Sequence, residues 1–523
     1  MSSSIVFEFR SSGTGSMVNG GGFKTGASGT DYSQQDAAQW TAADGTSTAS
    51  TTFISLTSTF TSAIVGNVLH ITAGTGATVG WYEVTGYTDA NTVTLDRVSG
   101  TYTAATFYVG GALSLNSTLD DDFFEEISGA NTTDGVKVWF KNGSFTLGEA
   151  VSIAGAGGTQ APIVVEGYNA TRGDTPTGTS RPTITGAANS FALGTNWDIY
   201  NIIFTGTATS VLSITASDKV INCKITNTST IVRSALIFAS NNTFIYNVEA
   251  ISYRGTAIAT TGNVSARVFN SYLHDSNVGF SSNATTPASH ISGNIISDNV
   301  NSAINFSTAV TGDTNISNNT IYGAENKLGT GVVLITGSTN AKIFNNIIYG
   351  FVTGVSHADV QSVGFDNYND YNNNNTDVTN WTKGANDVTT APGFTSVAQL
   401  TGTTATTSGS VLTQSGGDFS TVTDNVDFLY LVSGTGITAG KYKITSHTAT
   451  TVTLDIAPGT NATADKVWQI TTGHNFAIGT NLKALGFPGA FQGGTTTGYT
   501  DIGATQRQEA GGSSVTVGYS YGN

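Results

Sequence analysis

Asp275 and Asp298 stand 23 residues apart, with His274 beside the first and Arg254 a short way upstream. These four are the residues of this chain whose types and spacing could do chemistry. Two carboxylates at equal positions on neighbouring strands would lie about 4.8 Å apart. At that separation they perturb each other's pKa values or share a cation such as Ca²⁺. As an acid/base pair they would suit cleavage of a glycosidic bond, at the short end of the range for a retaining enzyme. His274 and Arg254 would assist. The plainer reading is a surface column of polar turn residues that happens to include two aspartates. The neighbouring sequence is poor in charge, whereas a groove for a charged sugar should be rich in it.

The two aspartates can share a column only if the chain repeats, and it does. The run Ile343–Ile348, "IFNNII", has counterparts at "IYNIIF" (199–204), "VINCKI" (220–225), "IYNVEA" (245–250), "VFNSYL" (268–273), "ISGNII" (291–296) and "ISNNTI" (316–321). The third position reads Asn201, Asn222, Asn247, Asn270, Gly293, Asn318 and Asn345, at steps of 21, 25, 23, 23, 25 and 27 residues. A near-constant period of this size is a solenoid signature. Leucine-rich repeats share the period, but their leucine skeleton is absent. A second apolar run separates successive phrases, for example Val211–Ile214, Ala303–Phe306 and Val332–Ile335. Each repeat therefore holds at least two short strands, which suits one coil of a parallel β-helix. Asn and Gly tolerate the left-handed backbone that a sharp corner requires. Stacked Asn side chains can also bond one above another as a ladder, expected at Asn201, Asn222, Asn247, Asn270, Asn318 and Asn345.

A second repeat interrupts the first. "GTGATVGWYEVTGYTDANTVTLD" (74–96) matches "GTGITAGKYKITSHTATTVTLD" (434–455), with Gly74/Gly434 and Tyr82/Tyr442 offset by 360. Glycine turns between alternating strands predict a small barrel or sandwich in each copy. The two copies are either spacers or equivalent docking or glycan-binding modules. Between the first copy and the coils lies "NSTLDDDFFEEISGAN" (116–131). Ser117 or Thr118 would cap a helix with Leu119, Phe123 and Ile127 on one face. Asp120, Asp121, Asp122, Glu125 and Glu126 would line its polar face, and such a helix can cover the open end of a solenoid. The acidic run would also suit Ca²⁺, although a solvated cap explains it without a metal.

The expected organisation is an extended arm over 1–49, a first module over 50–112, a capping helix over 113–131 and a parallel β-helix over 132–400. A second, inserted module over 401–474, a closing β-helix segment over 475–507 and a tail over 508–523 follow. The tail alternates Val515, Val517, Tyr519 and Tyr521, a pattern that can add as a strand to a partner's sheet.

Composition narrows the function. Charged residues are 11% of the 523, and the net charge is −15. A nucleic-acid binder is expected to carry a basic stripe, and none is visible; an anionic membrane surface is disfavoured for the same reason. No run reaches the ~18 apolar residues of a membrane span. With one cysteine, Cys223, a disulfide framework within the chain is excluded. Gly reaches 63 residues while 38% of the chain is hydrophobic, which fits a turn-rich all-β protein better than a disordered one. The start "MSSSIVFEFRSSGTGS" lacks the pattern of a secretory signal, so synthesis in a cytoplasm is expected. His290, His357 and His474 lack metal-ligand spacing, and Trp197 reads as packing.

The coil phrases, with "DGVKVWFKNGSFTL" (134–147), "PIVVEGY" (162–168), "RPTIT" (181–185), "NYNDYNNNN" (367–375), "GANDVTTAPGF" (384–394), "NFAIGTNLKALGF" (475–487) and "DIGATQR" (501–507), resemble the right-handed parallel β-helix superfamily of pectate-lyase-like proteins. The resemblance implies an all-β fold, a right-handed parallel β-helix solenoid, to which the internal repeat adds two homologous small barrel or sandwich modules, one preceding it and one inserted near its C-terminal end. It implies little about activity, because this fold hosts many functions. "GGGFKTGASGTDYSQQDAAQW" (20–40), followed by the first module and the coils, resembles uncharacterised β-helix proteins of tailed bacteriophages. That likeness implies a virion-surface fibre, spike or decoration protein, made in the host cytoplasm and held to other virion proteins by a terminal arm. Host-surface glycan is the implied contact, and a homotrimer is usual for β-helical spikes. A polysaccharide lyase or glycoside hydrolase and a bacterial surface adhesin are the rival readings. No cofactor is expected, apart from the Ca²⁺ considered above.

Overall fold

A computed structural model describes residues 5–11, 16–128, 135–153, 162–216, 218–239, 243–262, 264–284, 288–323, 327, 329–360, 364–394 and 396–476, with 482, 485 and 502–504. The tail over 508–523 and most of the closing segment over 475–507 lie outside the described residues. The chain forms two compact units, residues 1–226 with 242–244, and residues 227–241 with 245–523.

The first unit opens the solenoid. Lys137–Lys141, Ile163–Tyr168, Trp197–Tyr200 and Lys219–Ile221 pair in parallel as one sheet. Ser144–Thr146, Thr183–Ala187 and Ile203–Gly206 form a second, and Val151–Ser152, Phe191–Thr195 and Ser210–Ala216 a third. The register aligns Val138, Val165, Ile199 and Val220 in one stack, each fully buried. Burying such a side chain contributes about 1.5–3 kcal/mol.

The arm expected over 1–49 is more ordered than the sequence suggested. Ile5–Phe9 pairs in parallel with Lys137–Lys141 and antiparallel with Gly22–Lys24. Its alternating Ile5, Phe7 and Phe9 are buried, and the strand covers a sheet edge that would otherwise present unpaired backbone groups. The first barrel also begins earlier than residue 50. Its strands are Trp40–Thr48, Thr52–Ile54, Thr92–Leu95, Gly80–Asp89, Val68–Ala73 and Thr101–Val109, in that closed order.

The expected cap is a helix over Asp120–Ser128. Phe123 meets Phe7, Phe9 and Trp81 edge-on, and Phe124 meets Phe191 and Trp197. Asp120, assigned by sequence to the polar face, is instead fully buried. Its carboxylate accepts from the Gly148 amide at 2.7 Å and from those of Asn116 and Ser117 at 3.4 Å. Burial nevertheless pushes its pKa up to about 6.

The second unit continues in the same style. His290–Ser292, Thr314–Ser317 and Ala341–Phe344 lie in one sheet. Tyr272–His274, Ile295–Ser297, Thr320–Tyr322 and Ile347–Tyr349 lie in the second, and Val278–Ser282, Ser302–Phe306, Thr330–Leu334 and Thr353–His357 in the third.

Every third-position residue of the repeat turns the corner with positive φ. The values are 61° for Asn201, 54° for Asn222, 53° for Asn247, 48° for Asn270, 71° for Gly293, 55° for Asn318 and 58° for Asn345. Side-chain bonds join Asn222 to Asn201 at 2.6 Å and Asn345 to Asn318 at 2.5 Å. At Gly293 a Cβ would come within 2.3 Å of the Asn270 side chain. A second ladder lies one residue on. Asn294, Asn319 and Asn346 each donate Nδ2 to the next Asn Oδ1, at 3.0, 2.9 and 3.0 Å, ending at Asn369. All four are fully buried. In "IFNNII" Asn345 thus turns the corner and bonds Asn318, while Asn346 is a rung of the buried ladder.

The second barrel closes over Ser396–Ser408, Val411–Thr413, Thr451–Leu454, Gly440–His447, Phe428–Ser433 and Asn461–Asn475. It repeats the first in detail. Tyr82 donates to Thr78 O and Tyr442 to Thr438 O, both at 2.7 Å. Gly80 and Gly440 both have φ 153°.

Candidate functional site

The repeat does bring Asp275 and Asp298 into one column, on adjacent coils of the second unit. Both occupy left-handed corners, with φ 50° and 54°, a conformation Asp adopts more readily than most residues. The Asp275 amide donates to Ser297 O and the Asp298 amide to Tyr322 O. The backbone therefore already accounts for a short polar side chain at each corner.

The carboxylates are covered by the inserted barrel. Asp275 is 7% exposed and Asp298 1%. The Tyr430 hydroxyl lies 2.8 Å from Asp275 Oδ1 and 2.5 Å from the Asp298 carbonyl oxygen. Thr471 Oγ1 donates to Asp298 Oδ1 at 2.6 Å. His274 Nδ1 is 2.7 Å from Asp275 Oδ2, and its Nε2 is 3.4 Å from Glu249. Burial disfavours the imidazolium, but the bonds to Asp275 and Glu249 outweigh that and raise the pKa above the usual value. Arg254 turns away from the pair. It donates to Lys441 O, lies 3.8 Å from Asp455 and sits over the Tyr442 ring.

Lys441 completes the cluster. Its ammonium is 3.9 Å from Asp275 Oδ1 and 3.7 Å from the Phe428 ring centre. It makes no hydrogen bond among the described residues, and burial pulls its pKa down to about 7. Around it, Phe428 and Tyr430 pack with Tyr253 and Val300. So three of the four sequence candidates meet, and Arg254 serves the barrel instead. Sequence reasoning missed Tyr430, Lys441, Thr471 and Glu249. The three barrel residues lie more than 130 positions from Asp298, and no spacing rule reaches that far.

Cys223, Trp197 and His357, singled out in the sequence, are accounted for by packing. Cys223 and Trp197 are fully buried, and burial pushes the Cys223 thiol up to about 11. His357 bonds the carbonyls of Asp359 and Ser338, and His290 is exposed. The side chain of His474 lies outside the described ones. Among the described residues no group of three or more His, Cys, Asp or Glu is arranged to hold a metal ion, and no helix is long and apolar enough to cross a membrane.

Fold and site together define a parallel β-helix protein with two copies of a small barrel, the second seated on a column of corner aspartates. No protein-family model and no curated protein matches the sequence. Among solved structures the chain is similar to pectate lyase Pel9A, at 13% identity over 74% of this chain and 91% of that one, TM-score 0.35. It is similar to the tailspike gp61 of Pseudomonas phage phi297, at 11% identity over 84% and 80%, TM-score 0.23. It is also similar to the Gp54 tailspike of Acinetobacter baumannii bacteriophage AP22, solved in complex with A. baumannii capsular saccharide, at 10% identity over 83% and 84%, TM-score 0.17. No residue role is carried from those proteins to this chain.

Proposed function

We propose that the chain is a structural protein of a tailed-bacteriophage virion surface, a fibre, spike or capsid decoration, whose coils and barrels present surface to host glycans. The observation that carries this reading is the closure of the paired carboxylates. Asp275 and Asp298 are filled by donors from the chain's own barrel, so a saccharide cannot reach them while the barrel is seated. The cluster holds a module in place and leaves the chemistry of the corner aspartates unused. The resemblance of residues 20–40 and the first module to phage β-helix proteins supports the virion setting, and the acidic, charge-poor composition suits an exposed particle protein.

Two measurements test it. Immunogold labelling of intact particles, using antibody to the purified chain, should decorate the particle surface; purified particles free of the chain would overturn the reading. The purified protein, incubated with capsular and anionic glycans, should release no new reducing ends or unsaturated products. Cleavage that disappears in Asp275→Asn or Asp298→Asn would establish the enzymatic rival instead.

A further inference from the structure

One outer sheet face of the second unit collects positive charge that the sequence scatters. Arg267–Phe269, His290–Ser292, Thr314–Ser317, Ala341–Phe344 and Phe365–Asn367 lie side by side in register. Within them Val268, Ile291, Ile316 and Ile343 are fully buried, so the residues flanking each point outward. The register sets Arg267, His290, Asn315, Lys342 and Phe365 in one outward row. Phe269, Ser292, Ser317, Phe344 and Asn367 form a second row beside it. Neither row holds a carboxylate, in a chain with 35 acidic residues against 20 basic ones. Asp366, the acidic residue of these strands, points inward opposite Ile343 and is 8% exposed. We propose that this face binds an extended acidic polysaccharide, with its carboxylates on Arg267 and Lys342 and its sugar faces on the neighbouring rings.

Charge selects the occupant. Arg267 is exposed and makes no hydrogen bond or ion pair among the described residues. Its planar fork suits bidentate recognition of a carboxylate. Lys342 pairs with Asp313 at 2.6 Å, but the two side chains are 45% and 60% exposed. A pair so open to water contributes little and yields to a competing carboxylate at small cost. Between the two cations, exposed His290 and Asn315 offer hydrogen-bonding groups, with His290 Nδ1 3.4 Å from Asn315 Nδ2.

Each cation also has a ring two residues on. Phe269 and Phe344 are half-buried. Phe365 is 39% exposed and meets Phe344 edge-on at 6.0 Å. Such rings offer apolar surface to the C–H faces of a sugar. Arg267 and Lys342 are three coils apart, a span of about 14 Å. That span fits two carboxylates of one extended chain and exceeds a single sugar ring. A nucleic-acid strand would bring a phosphate at every nucleotide against two permanent cations, on a chain of net charge −15. The sparser charge of an acidic glycan suits the face better.

This site rests on the glycan-contact reading and deepens it by naming the glycan class. Its test needs only the purified chain, so its failure leaves the particle-labelling result standing. Isothermal titration of the full-length protein with hexagalacturonate, hyaluronan hexasaccharide, maltohexaose and hexathymidylate separates the occupants. At least one acidic glycan should bind, about tenfold or more tighter than maltohexaose and hexathymidylate. The double variant Arg267→Gln/Lys342→Gln should weaken that glycan by about tenfold or more. Its melting temperature should match the parent's, because both side chains are exposed and unburied substitutions of this kind change stability little. Phe365→Ala should weaken the same glycan by about threefold. Binding of neither acidic glycan, a smaller preference over maltohexaose or hexathymidylate, or an affinity unaltered in the double variant would overturn the proposal.

Discussion

The residue that decides most in each coil is asparagine, and its two positions do different work. Asn345 supplies a left-handed corner; Asn346, its neighbour, supplies a buried rung. Asn346 Nδ2 donates to Asn369 Oδ1 and Ile316 O, while its Oδ1 accepts from the backbone and side chain of Asn319. Asn346→Ala should therefore cost about 3 kcal/mol, since it strands buried donors and acceptors on both neighbouring coils. Asn345→Gly should cost less, about 1–2 kcal/mol, because Gly tolerates the same φ and the main loss is the bond to Asn318. Urea denaturation of the two variants checks the contrast, and equal losses would contradict the division of labour. The corner column also runs on to Tyr368, at φ 58°. Tyrosine is a poor left-handed residue, so Tyr368→Asn should stabilise by about 1 kcal/mol in the same assay. These corners were legible in the sequence because Asn and Gly mark positive φ directly. Tyr368 was not, because nothing in a tyrosine announces that backbone.

At the scale of elements, the inserted barrel is held by a polar contact with one poorly solvated cation. The Lys441 pKa is depressed in the folded state to about 7, against 10.5 for the ordinary side chain. Between those values the unfolded chain binds more protons than the native one, so this group makes stability rise as pH increases from about 7. Below pH 7 both states are protonated and the burial cost is constant. Lys441→Met should stabilise the protein by about 1–3 kcal/mol near pH 6.5, and the gap to the parent should narrow by pH 9. Denaturation midpoints at the two pH values measure this; a gap that widens toward pH 9 would refute it. The barrels themselves were legible as a pair, because Gly74/Gly434 and Tyr82/Tyr442 keep their offset. What the equivalent outer faces touch was not, since His70/Trp81 and Tyr430/Lys441 share positions but no chemistry.

For the molecule as a whole, the low charge content leaves few groups to set the pH response, and buried carboxyls dominate it. Asp366 accepts from Tyr371 and Trp381 inside the coils; burial first, and then neighbouring Asp387, raise its pKa. Burial likewise pushes Asp370 up to about 8. Between about 4 and 8 the native state then binds more protons than the unfolded one, so these groups make stability fall across that window. His274, raised as well, adds stability below its unfolded value near 6.5 that is lost as pH climbs through its folded pKa. Thermal melting should be higher at pH 5 than at pH 8, and Asp366→Asn should flatten the difference. A melting point that climbs from pH 5 to pH 8 would contradict these burial assignments.

The sequence by itself determined the coil, its corners, the duplicated β module and the capping helix, because each is a local or periodic property: a tolerated φ, an alternation, a repeat offset. It also placed Asp275 and Asp298 in one column, since a column follows from the period. Tertiary structure alone decided that the column is closed and that the first strand, Ile5–Phe9, covers a sheet edge. Those outcomes depend on which surfaces meet after the coils stack, and surfaces brought together across a hundred residues or more leave no spacing for a sequence to record.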